Sequence, residues 1–103
     1  MSNVNTFIAE LVRAANAVER LDNVEKRRLL DRAVATIRDM RSQVHRWPSA
    51  NVRDAVRALE NVAAALGSDA ATPEETRTAL LDAATMIRDL HIVIDSKTVI
   101  RVK

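Results

Sequence analysis

The sequence of 103 residues contains no cysteine and no tyrosine, only one glycine and two prolines, and 2% aromatic residues. Without cysteine the chain can form neither disulfides nor thiolate metal sites, and it has no thiol nucleophile. The scarcity of glycine and proline argues against an all-β fold, which needs a turn about every 8–12 residues. The hydrophobic 48% of the chain is therefore almost entirely aliphatic. We predict one all-α domain over residues 1–103, with an aliphatic core.

Long apolar runs are absent as well. No segment approaches the ~18 apolar residues that cross a bilayer, and residues 1–5 lack the basic region followed by an apolar block that begins a secretory signal. These absences predict a cytoplasmic protein of a bacterium or phage, without a membrane partner.

Three short patterns recur in order along the chain. Val-Arg-Ala at residues 12–14 recurs 44 residues later, Leu-Leu-Asp at residues 29–31 recurs 51 residues later, and Ile-Arg-Asp at residues 37–39 recurs 50 residues later. Each half would then contain a shorter helix followed by a longer one. We interpret the chain as a duplicated helical hairpin.

Apolar residues spaced by three and four predict four amphipathic helices. Their predicted bounds are about 5–21, 23–46, 50–66 and 73–95. Short connections between such helices favour an up-down-up-down bundle built as two related hairpins.

Several residues signal where these helices begin and end. Asp22 is a candidate N-cap, and Thr72 followed by Pro73 and two glutamates is the strongest helix start in the chain. Pro48 disfavours helical geometry at the residue before it. Gly67 can take the left-handed conformation that ends many helices.

Residues 91–103 allow two interpretations. In the first, the fourth helix reaches about Asp95 and residues 96–103 form a short extended tail. In the second, the β-branched residues on both sides of Ser96 and Lys97 form a small β-hairpin. Against the hairpin, Ser-Lys lacks the Gly or Asn that a two-residue turn favours.

The sequence offers no arrangement typical of catalysis or of a metal centre. A di-iron site in a helical bundle uses Glu-x-x-His pairs, but Ser42 precedes His45 and Arg88 precedes His91 at that spacing. The hydroxyl residues lie mostly at helix caps, without a base and an orienting group. We predict a non-enzyme without cofactor or metal.

Charge is unevenly distributed along the chain. Basic residues are in excess over residues 23–47, whereas acidic residues are in excess over residues 69–95. The basic second helix could face the acidic fourth helix, solvent or nucleic acid, and the sequence leaves these three arrangements open.

The longer helices would extend about two turns beyond the shorter ones, which leaves their ends in need of cover. Tryptophan, arginine and apolar residues there are typical of binding hot spots. The predicted partner-binding residues are Arg38, Met40, Arg41, Val44, Arg46, Trp47 and Ile94.

The function predicted from the sequence is that of a non-catalytic helical protein-interaction module, a small regulator, adaptor or inhibitor of a larger protein or complex. Two alternatives stay open. One is a nucleic-acid-binding regulator that uses the basic second helix, with affinity that falls steeply with salt. The other is a helical homodimer with a structural role.

Overall fold

The computed structural model describes the backbone of residues 4–43 and 49–101, and the side chains of residues 4–43 and 53–94. Within these ranges the chain forms four α-helices and one short 3-10 helix, with no strand. The bounds are α1 Val4–Asn16, the 3-10 helix Val18–Arg20, α2 Asn23–Arg41, α3 Ser49–Gly67 and α4 Pro73–Arg101. The all-α, four-helix prediction is confirmed.

Both predicted helix starts are capped by side chains. The Asp22 carboxylate accepts a hydrogen bond from the Glu25 backbone N–H at 2.8 Å, which satisfies one free donor of the first turn of α2. At α4 the bonds are reciprocal: the Glu75 N–H donates to the Thr72 hydroxyl at 3.1 Å, and the Thr72 N–H donates to the Glu75 carboxylate at 3.0 Å. This is a complete capping box.

The end of α3 differs from the sequence prediction. Gly67 is not left-handed; Asp69 is, with φ of 64°. The Ala70 N–H donates to the Ala65 carbonyl at 2.7 Å, and the Asp69 N–H donates to the Leu66 carbonyl at 3.2 Å. These two bonds form a Schellman motif with Asp69 at its left-handed position. The helical backbone thus continues through Gly67 before it turns.

The ends of α1 and α2 also differ from the prediction. α1 stops at Asn16 and a 3-10 turn replaces its predicted last turn, whereas α2 stops at Arg41 rather than near residue 46. The N–H of Gln43 donates to the Met40 carbonyl at 3.0 Å, an i to i−3 bond that tightens the end of α2. Residues 44–48, the rest of the predicted second helix and the linker that follows it, lie outside the described range.

The predicted extended tail is wrong for residues 96–101, because α4 continues to Arg101. The alternative β-hairpin is wrong for the same reason. No Gly or Pro follows Pro73, and β-branched residues lower helix propensity by only a few tenths of a kcal/mol each, less than ~0.7. Nothing in this segment therefore stops the helix.

All four helices contribute to one aliphatic core, to which Phe7 adds the only aromatic ring among the described residues. Most of it comes from the inner stripes of the helices, the apolar residues at spacings of three and four from which the helices were predicted. The core also includes residues outside these stripes: Leu29, Val34, Ala63, Ala79 and Ala84. The large side chains with less than 2% exposure include Leu11, Leu30, Ile37, Leu80, Ile87 and Leu90. The side chains of Val44, Trp47 and Val52, also predicted in these stripes, lie outside the described set.

The largest helix contacts join the two halves of the sequence. α1 packs mainly on α4, α3 packs mainly on α2, and α2 packs on α4; the contact between α3 and α4 is much smaller. The Asn23 side chain bonds to Asp69 and the Arg38 side chain bonds to Glu60, so α2 and α3 run antiparallel. These contacts fit a bundle, while the up-down-up-down order and the pairing into two hairpins stay predictions.

Burial supports the internal repeat but corrects its register. The pattern of buried and exposed residues over 29–41 recurs over 79–91, so the long helices correspond at a spacing of 50. Leu30 and Leu80 are both fully buried, whereas Leu81 is 37% exposed. The Leu-Leu-Asp match at 51 is therefore one residue out of register.

The shorter helices need a similar shift. Val12 is 37% exposed and Val56 is 6% exposed, so the match at 44 pairs an outer residue with a core residue. A spacing of 45 pairs Leu11 with Val56 and Val18 with Ala63, all buried. Spacings of 45 for the shorter helices and 50 for the longer ones therefore relate the two halves.

Candidate functional site

Four of the seven predicted partner-binding residues lie within the described side chains, and the surface itself stays a prediction. Met40 is 6% exposed and belongs to the core, so little of its side chain can contact a partner. Ile94 is partly buried and also packs against the core. Arg38 is exposed on α2, where it donates to the Glu60 carboxylate at 2.7 Å. Arg41 is half-buried. The remaining three, Val44, Arg46 and Trp47, lie outside the described residues.

The basic face of α2 is interleaved with carboxylates. Four of its arginines lie 2.7–3.8 Å from an acid: Arg27 from Asp31, Arg28 from Glu25, Arg32 from Glu10, and Arg38 from Glu60. Each exposed pair contributes only about 0–1 kcal/mol to stability. A phosphate backbone would nevertheless have to displace or approach these acids, which weakens the nucleic-acid interpretation of this face.

The clearest concave surface lies between α3 and α4, where the two helices diverge. It is a groove of about 710 Å³. Its floor is apolar and comes from both helices; Leu59 and Ala79 are buried there, and Val62 and Met86 are partly buried. The apolar floor and wall also include Ala55 and Ala58, small side chains that leave the groove open.

The α4 wall of this groove is acidic. Glu74, Glu75, Asp82 and Asp89 line it, together with Thr78 and Thr85. Glu75 is occupied by the capping box, but Glu74, Asp82 and Asp89 form no ion pair within the described part of the chain. In contrast to the arginines of α2, these carboxylates face solvent without a cation.

In the first half of the chain, an arginine occupies the corresponding position between α1 and α2. There the Arg32 guanidinium lies 4.3 Å from the centre of the Phe7 ring and 3.5 Å from the Glu10 carboxylate, so it bridges α1 and α2. At the repeat spacings, Asp82 stands in place of Arg32 and Ala55 in place of Glu10. At this position the second half therefore has an aspartate where the first half has the bridging arginine, and it presents a groove with an acidic wall.

The sequence analysis did not find this groove, although a signal for it was present. Acidic and hydroxyl residues recur along one side of α4 at Glu75, Thr78, Asp82, Thr85 and Asp89, with spacings of three and four. Such spacing places them on one face of a helix. That this face stands beside the alanines of α3 depends on how the helices pack.

Comparisons with protein-family models, with curated proteins and with solved structures found no match for this chain. None of the helices in the described ranges combines the length and apolar character needed to cross a membrane. The same residues contain no group of three or more His, Asp or Glu side chains placed to hold a metal ion. The groove and its acidic wall are therefore the features of the molecule that bear on its function.

Proposed function

We propose that this protein is a non-catalytic helical interaction module, a small regulator or adaptor that binds a protein partner through the groove between α3 and α4. The observation that supports this function is the groove itself, which combines an apolar floor with carboxylates that form no ion pair within the described residues. Apolar floors supply binding free energy, and charged rims select the partner and orient it.

This groove is a different site from the surface predicted from the sequence, which stays a prediction. Of the residues predicted there, Met40 is in the core and Arg38 is already bound to Glu60. The groove residues Ala58, Thr78 and Asp82 are exposed on two neighbouring helices. They can contact a partner without opening the core.

A photo-crosslinking experiment tests the proposal in cells that make the protein. A photoreactive amino acid is placed either at Thr78, inside the groove, or at Ala64, an exposed residue of α3 outside it. We expect a protein adduct from Thr78 that is absent from Ala64. The adduct should disappear when Ala58→Arg is added, because the arginine fills the groove, and should persist with Ala64→Arg.

The matched arginine variants provide the control for folding. Both replace an exposed helical alanine by a good helix former, so circular dichroism should show the same helical content for each. Equal adducts from Thr78 and Ala64, or adducts insensitive to Ala58→Arg, would contradict the proposal. Retention on DNA or RNA that is lost above ~200 mM salt would favour the nucleic-acid alternative instead.

A further inference from the structure

We infer that the groove between α3 and α4 receives a basic amphipathic helix of the partner, with its apolar side chains on the floor and its Lys or Arg residues facing α4. This inference rests on the proposed function and specifies the chemistry of the occupant.

The negative charge of the α4 wall favours an occupant with positive charge. Glu74, Asp82 and Asp89 are unpaired within the described ranges and line the same side of the groove. A cationic residue placed against them would form charge-assisted hydrogen bonds. An acidic helix would bring like charges together beside an apolar surface, which is unfavourable.

The first half of the molecule shows which groups fit this position. Arg32 spans from α2 to the Phe7 ring and the Glu10 carboxylate of α1, and so covers the apolar surface with its stem and satisfies an acid with its head. The second half provides acids and an apolar floor but no such cation, because Asp82 stands where the first half has Arg32. A lysine or arginine from the partner would supply the missing group.

The dimensions of the groove suit a helix. The described α3 residues that line it run from Ala55 to Val62, about 10 Å, and its longer α4 wall runs from Glu74 to Asp89, about 22 Å at ~1.5 Å per residue. An amphipathic helix of about four turns matches that length, since each turn advances ~5.4 Å. Helices commonly bind proteins by placing one apolar face into such a groove. The described residues offer no exposed sheet edge that an extended peptide could join.

A second copy of the chain fits the groove less well than a partner helix. Among the described side chains, the exposed arginines of α2 form a basic surface, but Asp31 and Glu25 already pair with Arg27 and Arg28. Docking α2 of another copy would bring these acids beside the acidic wall. We therefore assign the groove to a partner of different sequence and treat self-association as an outcome of the test.

Two synthetic peptides of about 15 residues, a length of about four turns, provide the probes. Both are stapled helices with the same leucine stripe; one has lysines beside the stripe and the other has glutamates. Binding to the full chain is measured by fluorescence anisotropy. We expect the lysine peptide to bind at least ~10-fold more tightly, a difference of about 1.4 kcal/mol, and its preference to fall as salt rises.

Paired asparagine variants locate the charge effect. Asp82→Asn with Asp89→Asn should weaken the lysine peptide about 5-fold or more, because both carboxylates lie on the wall. Asp31→Asn with Asp39→Asn makes the same change of net charge on α2 and should leave the affinity within about 2-fold. Ala58→Arg should abolish binding while Ala64→Arg should not.

Three results would overturn the inference: equal affinity for the two peptides, equal loss in both asparagine pairs, or a dimer in sedimentation that Ala58→Arg dissociates and Ala64→Arg does not. A different result would contradict the basic helix but leave the proposed protein-binding function intact. If Thr78 still yields a protein adduct that Ala58→Arg removes, but Asp82→Asn with Asp89→Asn does not reduce it, the groove binds a protein and only the basic helix is wrong.

Discussion

At the scale of single residues, the left-handed conformation expected of Gly67 occurs at Asp69 instead. Gly67 has a helical backbone, and Asp69 carries the positive φ of 64° at the left-handed position of the Schellman motif. Asp tolerates this conformation better than most residues. Here the Asn23 side chain also donates to the Asp69 carboxylate, which ties the turn to the start of α2.

Gly67→Ala should therefore stabilise the protein by about 0.5–1 kcal/mol, since alanine restricts the unfolded chain and suits a helical φ. A Cβ at this position would lie 2.7 Å from the Arg27 Nη1 atom, the end of a flexible, exposed side chain that can move. Asp69→Ala should cost about 1 kcal/mol. Urea denaturation followed by circular dichroism measures both, and a less stable Gly67→Ala variant would contradict the assignment.

Arg32 is a basic residue whose counterpart in the second half, Asp82, is acidic. Its contact with the Phe7 ring, at 4.3 Å, is expected to contribute about 0.5–1 kcal/mol, and its exposed pair with Glu10 adds about 0–1 kcal/mol. Arg32→Ala should thus destabilise the protein by about 1 kcal/mol. The loss should exceed that of Glu10→Gln, which removes the ion pair alone; equal losses in urea denaturation would show that the ring contact contributes nothing.

At the scale of helices, the sequence predicts starts better than ends. Asp22 and Thr72 begin α2 and α4 as predicted, because a cap is a local interaction between a side chain and the next turn. Where a helix ends depends instead on features that lie farther along the chain. α4 has no Gly or Pro to stop it, and α1 gives way to a 3-10 turn that places Val18 in the core.

Repeat register is hard to read from identical residues alone. Two adjacent leucines occur in each half, at residues 29–30 and 80–81, and matching them letter by letter shifts the helix by one residue. A shift of one residue turns a helix by about 100°, since ~3.6 residues make a turn. Burial resolves this ambiguity, because Leu80 is fully buried and Leu81 is 37% exposed.

The corrected register predicts unequal effects for these neighbours. Leu80→Ala should destabilise the protein by about 2–5 kcal/mol, because it removes a fully buried side chain and leaves a cavity. Leu81→Ala should cost less than about 1 kcal/mol, since much of its side chain stays in water. Denaturant midpoints of the two variants measure the difference, and a larger loss for Leu81→Ala would restore the spacing of 51.

At the scale of the whole molecule, the fold class and most of the core followed from hydrophobic periodicity, but the groove between α3 and α4 did not. The sequence prediction favoured Trp47 and the arginines near it, because these residue types are common in hot spots. The groove instead depends on which helices are neighbours. Small residues such as Ala58 carry no signal of binding until Asp82 and Asp89 are seen beside them.

The way the helices pair also predicts how the molecule folds. Because α1 packs mainly on α4 and α3 mainly on α2, each half buries its apolar faces against the other. A fragment of residues 1–46 would leave Leu11 and Ile37 without most of their cover. Most helical stability in proteins comes from packing an amphipathic face rather than from propensity, and a shorter chain buries a smaller fraction of its surface.

We therefore expect fragments 1–46 and 47–103 each to be weakly helical and to unfold without a cooperative transition. Mixed in equal amounts, they should recover the helical circular dichroism of the intact chain, with a melting temperature that rises with concentration because folding now requires association. Leu80→Ala in the second fragment should prevent recovery, whereas Leu81→Ala should not. If either fragment melts cooperatively by itself, its core lies within that half, and the contacts between the halves are not what holds the molecule together.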